Sequence, residues 1–316
     1  MSVSLLICTM NNVDGVVNLI RNLESFFSEI ILIDSSDLKN YKLLKRKIKS
    51  DKVKIVNLPP IGFVDPYLQI GMDLAKNEWI FVLADDEIPC AKLLRDLKTL
   101  TKEYKVYTIR RHTPGHKKDE YVIRLFPRKL VRAPGIIHWG EFISKTLPIR
   151  LSDDYYIIHN DTDLIRNTIN LTKLKKYAII ESYQAGIKIL LMVKNGDKFY
   201  RYNEKKLGCI LFRFILKFKK IKILTPYVWF ISVITYYFYF VLEHIKLKSK
   251  IGTFYYLTVL REIINNFGEK VNLWEKIDNS NLFDFYISFN DISKTVLSYK
   301  KTYENLIKIY KLKFKF

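Results

Sequence analysis

Along the first hundred residues, short unbroken apolar runs alternate with amphipathic stretches. "VSLLIC" (3–8), "EIILID" (29–34), "VKIVNL" (53–58) and "WIFVL" (79–83) are five or six residues long and rich in branched side chains. Runs of that length and composition predict strands covered on both faces. Between the first two, residues 16–27 place Val16, Leu19, Leu23 and Phe26 or Phe27 on one helical face, with Asp14 available as a cap. The Lys-rich segment 38–50, residues 66–77 and residues 91–101 predict three more helices, and "KVYTIR" (105–110) closes the series. The alternation predicts an α/β fold, a mostly parallel sheet with helices on both faces. Ligands of such sheets gather at the carboxyl ends of the strands. Three polar clusters stand at those ends: "TMNN" (9–12), "DSSD" (34–37) and "DDE" (85–87).

The pattern then changes. "KVYTIRRH" and "EYVIRLFP", joined by the turn-like "TPGHKKD", predict a hairpin, and "APGIIHWGEF" (133–142) follows. From about residue 163 the chain reads as mostly helical. "CILFRFILKFKK" (209–220) mixes large apolar residues with Arg and Lys, and residues 223–242 run for twenty residues without a charge. That length just reaches a membrane span of ~20 residues. Pro226, Ser232 and four Tyr temper its hydrophobicity, and basic residues flank both sides. Three readings stay open: a helix in the membrane interface with Tyr and Trp at headgroup depth, a span, or a buried core or oligomer helix. The expected organisation is a catalytic sheet domain at 1–160, a helical extension at 161–208, an aromatic and basic membrane-associated segment at 209–250, and a helical C-terminal region at 251–316.

Charge sharpens this division. The net charge of +21 is uneven: residues 1–160 carry 25 Lys and Arg against 19 Asp and Glu, residues 161–316 carry 28 against 13. An anionic partner is therefore expected at the second half, where nucleic acid and an anionic membrane are both admissible on charge. The aromatics there cluster in an apolar run and no nucleic-acid-binding motif occurs, which excludes nucleic acid as the expected partner. Three cysteines without a CxxC pair indicate neither zinc nor a disulfide framework and fit a reducing cytosol. "MSVSLLICTM" lacks a basic leader and reads as a first strand.

The candidate chemistry centres on Asp85, Asp86 and Glu87. Ordinary capping of the following helix would account for one acid. Three in succession after a buried strand raise one another's pKa, and a divalent cation, Mn2+ or Mg2+, would relieve them while bridging a nucleotide's diphosphate. Asp85 and Glu87 share an i, i+2 spacing, so in an extended segment those two would face the same way. A cation could then be held by Asp86 alone or by that pair. A nicotinamide enzyme would need G-x-G-x-x-G after the first strand. "CTMNN" has no glycine, and no P-loop occurs anywhere.

With these motifs in order, the chain resembles a family 2 glycosyltransferase of the GT-A fold. It is most similar to the bacterial and archaeal group related to lipopolysaccharide-core glucosyltransferases. "SLLICTMNN" resembles the family's first strand and nucleoside-binding turn, "EIILIDSSD" its "VVDSGSTD", and "DLAKNEWIFVLADDE" its diphosphate-metal motif. "RLFPRKLVRAPGIIHWGE" resembles "R-L-F-R-R…G-x-V-H-E", and "YYIIHND" a downstream motif with an isolated His. The resemblance implies that Thr9, Asn11, Asp34 and Asp85 lie on the donor-nucleotide side, with Asp34 accepting a base N–H. It implies Asp86, Glu87 and His159 around the metal, Arg124, His138 and Trp139 toward phosphate or substrate, and Glu141 as general base. Three features depart from the family: Ala84 replaces the first motif Asp, Leu68 stands where an Arg often precedes the third helix, and "HE" has become His138-Trp139-Gly140-Glu141. The implied protein is an inverting, metal-assisted transferase at the cytoplasmic face of a membrane. It would take a UDP- or GDP-sugar to a lipid-linked or glycan acceptor, and a homo-oligomer is compatible with it. A non-catalytic membrane-binding protein on the same fold is the alternative that Ala84 raises.

Overall fold

The computed structural model describes residues 2–58, 64–115, 119–133, 135, 142–160, 174–175, 177–182, 185 and 225–266. They belong to two compact units, the described residues up to 160 and those from 174 onward. In the first unit, β1 (Val3–Thr9), α1 (Val13–Leu23), β2 (Glu29–Asp34), α2 (Leu38–Lys47), β3 (Val53–Asn57), α3 (Asp65–Leu74) and β4 (Trp79–Ala84) follow the expected alternation. Then come β5 (Glu87–Pro89), α4 (Ala91–Leu100), β6 (Tyr107–His112), β7 (Glu120–Pro127), β8 (Val131–Arg132), β9 (Ile143–Ser144), β10 (Ile149–Arg150) and β11 (Tyr156–His159).

One sheet runs in the order β3-β2-β1-β4-β7-β6-β11-β5, with β10 beside β6, and β8 pairs separately with β9. Strands β3, β2, β1 and β4 are parallel, so Thr9, Asp34, Asn57 and Ala84 end on one edge. Strands β1 and β2 are buried throughout and β4 up to Leu83, because helices cover both faces. Leu5, Ile7, Ile30, Leu32, Phe81 and Leu83 pack into one cluster with Val16 and Ile20 of α1 and Leu93 and Leu97 of α4. Leu6, pointing the other way, meets α3 so closely that a Cβ on Gly71 would lie 2.3 Å from its Cδ1. The hairpin of β6 and β7 forms as expected, and β7 also pairs antiparallel with β4.

Asp14 corrects a local expectation. Asn12 occupies the cap position of α1, and Asp14 sits inside the first turn, 2.6 Å from Lys47 Nζ at the end of α2. A carboxylate there still favours the helix N-terminus, without capping it. Asp37 is the true cap of α2, accepting the Asn40 N–H at 2.9 Å.

The second unit contains α5 (Thr225–Lys246) and α6 (Lys250–Asn265), which pack as a hairpin. Val233, Tyr237 and Val241 of α5 and Tyr255, Val259 and Ile263 of α6 are buried at helical spacing. The Tyr237 hydroxyl donates to Glu181 Oε1 at 3.1 Å and the Tyr255 hydroxyl donates to Oε2, tying the helical residues 177–182 to both helices. The hairpin straddles the expected boundary at 250. Most of the uncharged run 223–242 lies in α5, and among the described residues no helix is long and apolar enough to cross a membrane. The Arg- and Phe-rich segment 209–220 lies outside the described residues.

Candidate active site at the strand ends

The loops after β1 and β2 are bonded to each other. Asn11 has φ +58°, a left-handed conformation that Asn tolerates better than most residues. Its N–H donates to Ser36 Oγ at 2.7 Å, and its Oδ1 accepts from Asp37 N and Asn40 Nδ2, both at 3.1 Å. Asn11 thus pins the first loop to the start of α2. Asp34 is fully buried. Its Oδ1 accepts from Ser36 N and Oγ at 3.1 and 2.5 Å, and its Oδ2 accepts from Asn57 Nδ2 at 3.1 Å. The oxygens of Asp34 thus bond Ser36 and Asn57 within the protein. In this arrangement Asp34 organises the loop.

The three consecutive acids do not face one another. A turn at residues 85–86 separates β4 from β5, so the expected extended pairing of Asp85 with Glu87 does not occur. Each acid has its own partner. Asp85 Oδ2 accepts the Thr9 hydroxyl at 2.6 Å, joining the ends of β1 and β4. Burial holds the Asp85 carboxyl above its ordinary range; neighbouring Asp86 pushes the same way, and hydrogen bonds from Thr9 and Asn12 oppose it. Asp86 Oδ2 lies 3.4 Å from His159 Nε2. Glu87 is fully buried, and its Oε1 accepts from Arg124 Nη2 at 2.8 Å and Arg111 Nη1 at 3.3 Å. Its Oε2 accepts the Ala84 N–H at 2.9 Å. Burial alone would raise the Glu87 carboxyl, but Arg124, the Ala84 amide and Arg111 hold it down to about 2.

Two implied roles change as a result. Glu87 is fully buried and spends its oxygens on Arg124, Arg111 and the Ala84 amide, so its visible role is inside the protein. Arg124, 1% exposed, forms an internal ion pair instead of reaching for a phosphate. The neighbouring surface acids pair elsewhere: Glu120 with Arg111, and Asp119 with Arg110 and His112.

His159 reaches Asp86 through a pairing that local pattern does not reveal. Strand β11 runs antiparallel to the three-residue β5, placing His159 opposite Glu87, and Asn160 N donates to Asp86 O at 2.9 Å. Thr113 Oγ1 lies 3.1 Å from His159 Nδ1, which turns Nε2 toward Asp86. The hydrogen bond with Asp86 raises the His159 pKa against the opposing effect of burial. Asp86 Oδ1 is buried with no hydrogen-bond partner among the described residues. An orphaned carboxylate oxygen beside an imidazole suits a divalent cation whose remaining ligands come from a diphosphate. No cluster of three or more potential ligands occurs among the described residues; the open Oδ1 of Asp86 and the neighbouring imidazole of His159 are what this edge offers a cation.

Glu141, His138 and Trp139 lie outside the described residues. Ser36 lies in the polar cluster 34–37, whereas Asn57, Arg111 and Thr113, at or near strand ends, carry no motif that marks them in the sequence. Asn57 was within reach by position alone, since it closes the third parallel strand as Thr9 and Asp34 close the first two.

No protein-family model matches the sequence, and no curated protein matches it. Solved structures do align with it. The chain is similar to S. aureus TarS 1–349 in complex with UDP-GlcNAc at 14% identity, over 84% of this chain and 92% of that one, with a TM-score of 0.43. A second crystal structure of S. aureus TarS 1–349 aligns at 12% identity over the same shares, with a TM-score of 0.42. The bifunctional IspDF from Campylobacter jejuni aligns at 15% identity over 52% of this chain and 54% of that one, with a TM-score of 0.36.

Proposed function

We propose that this chain is a glycosyltransferase that moves a sugar from a nucleotide-diphosphate donor to a membrane-associated or glycan acceptor. The observation carrying the reading is the orphaned Asp86 Oδ1 beside His159, at the edge where β1, β2 and β4 end. The ordered motif resemblance supports family 2 and, within it, the lipopolysaccharide-core-like group. Thr9, Asn11 and Asp85 border the donor's nucleotide side. Asp86 and His159 would hold Mn2+ or Mg2+, which when bound neutralises charge on the departing diphosphate. Glu141 takes the proton from the acceptor hydroxyl as that oxygen attacks the anomeric carbon opposite the leaving group, inverting its configuration. The basic second half is read as holding the enzyme to the inner face of the cell membrane, near a lipid-linked acceptor.

Release of nucleoside diphosphate from UDP- and GDP-sugars, with and without Mn2+ or Mg2+, tests this. One donor class should be hydrolysed in a metal-dependent manner, and Asp86→Asn should lower the rate at least about a hundredfold while leaving the circular dichroism spectrum unchanged. Wild-type rates in that variant would put the chemistry elsewhere. Ala84, where the family carries an acid, favours a second reading: a membrane-binding protein that has kept the fold and lost the reaction. Calorimetry separates the two, since tight metal-dependent binding of a nucleotide-sugar contradicts the second.

A further inference from the structure

Between α5 and α6 the chain turns in three residues, Leu247 to Ser249, and the turn is fully built. Ser249 N donates to His244 O at 2.8 Å and Lys248 N to Ile245 O at 2.9 Å, the paired bonds of a Schellman helix end. The residue at the left-handed position of that motif is usually glycine. Here it is Lys248, with φ +54°. Ser249 then starts α6, its Oγ accepting from Gly252 N at 3.3 Å and its carbonyl accepting from Thr253 N at 3.0 Å. The tip is therefore held in shape while keeping a lysine where glycine would be less strained.

What this turn displays is unusual for a surface. Leu247 is 72% exposed, and Ile245 and Ile251 on either side are exposed as well. Lys246, Lys248 and Lys250 alternate with them and are all exposed. Glu243 pairs with Lys246 at 3.6 Å, and no other acid occurs between Glu243 and Glu262. Apolar side chains fringed by cations match the boundary of an anionic bilayer, where branched side chains enter the acyl region and ammonium groups stay with the phosphates. Two copies of this tip would repel each other.

We propose that the α5–α6 turn is a lipid-surface anchor: Ile245, Leu247 and Ile251 enter an anionic phospholipid bilayer while Lys246, Lys248 and Lys250 meet its headgroups. This rests on the reading that the chain works at a membrane, and it names the point of contact as a turn between helices instead of the face of the 223–242 run. The test is flotation of the full-length protein with vesicles of phosphatidylglycerol and phosphatidylcholine, and with phosphatidylcholine alone. Wild type should bind the anionic vesicles and bind pure phosphatidylcholine weakly. Leu247→Glu should weaken anionic binding about tenfold or more, and Lys248→Gly, which relieves the positive φ, about fivefold with folding intact. If Leu247→Glu proves unfolded by circular dichroism, Lys246→Ser, Lys248→Ser and Lys250→Ser combined take its place, with a larger loss expected. Wild-type binding that these variants leave unchanged would overturn the anchor and move the contact elsewhere in the chain, leaving the membrane reading standing. Wild type that binds no vesicle would overturn both. A change in oligomeric state with vesicle binding unchanged would make the tip a contact between copies and overturn the anchor.

Discussion

Glu87 and Arg124 show how an acid of a strand-end motif can be spent inside the protein. Both are buried, and Glu87 uses its two oxygens to fasten Arg124, Arg111 and the amide of Ala84 at the end of β4. Arg124→Met would leave a buried carboxylate with Arg111 as its remaining guanidinium partner, and breaking a buried pair costs about 3–5 kcal/mol. Urea denaturation should show a loss near the lower end of that range. Glu87→Gln added to Arg124→Met should restore part of it, because the unpaired charge is then gone. If the double variant is no more stable than Arg124→Met alone, the pair is not what secures the turn. Sequence placed these acids at the site but could not divide them among partners. The i, i+2 argument holds only while the backbone stays extended, and the turn at residues 85–86 sends Asp85 to Thr9 and Glu87 to Arg124.

Among the elements, β1 to β4 and the helices between them were legible because each carries its own period and buries it against a neighbour. Strands β5 and β11 were not. Each is at most four residues long, and their pairing joins segments about seventy residues apart, so no local pattern encodes it. That pairing brings His159 to Asp86, which is why His159 could be named by resemblance and not by periodicity. Helix α3 offers a direct test of element packing. Gly71→Ala would push a methyl group against the buried Leu6, and overpacking of this kind costs about 1–3 kcal/mol. A thermal melt lowered by several degrees is expected, and an unchanged melt would mean that α3 does not lie on β1 as closely as described. In the α5–α6 hairpin, burial and the carboxylate of Glu181 raise the pKa of Tyr237 and Tyr255 above the ordinary tyrosine value. A raised folded-state value stabilises fully below the unfolded pKa of about 10 and is lost as pH climbs beyond it. Helical circular dichroism should therefore fall above about pH 10, and Tyr255→Phe, with one fewer group to ionise, should make that fall less steep.

Taken as a whole, the chain divides its chemistry and its charge. The strand-end site lies within residues 1–160, where acids nearly balance bases, while residues 161–316 carry 28 Lys and Arg against 13 Asp and Glu. If the first half handles the donor and the second meets a charged surface, the two activities should respond differently to salt. Exposed charges are screened over about 10 Å at 0.1 M and about 3 Å at 1 M, while partly buried pairs such as Asp86 and His159 are screened far less. Raising sodium chloride from 0.1 to 1 M should reduce binding to anionic vesicles about tenfold or more. Hydrolysis of the donor by water, measured without vesicles, should change by less than about threefold over the same range, because its partners are held within the protein. A parallel collapse of both would place the basic residues of the second half in donor binding. Donor hydrolysis that persists while transfer to a vesicle-borne acceptor fails would show that salt removes the enzyme from its acceptor and leaves the reaction centre intact.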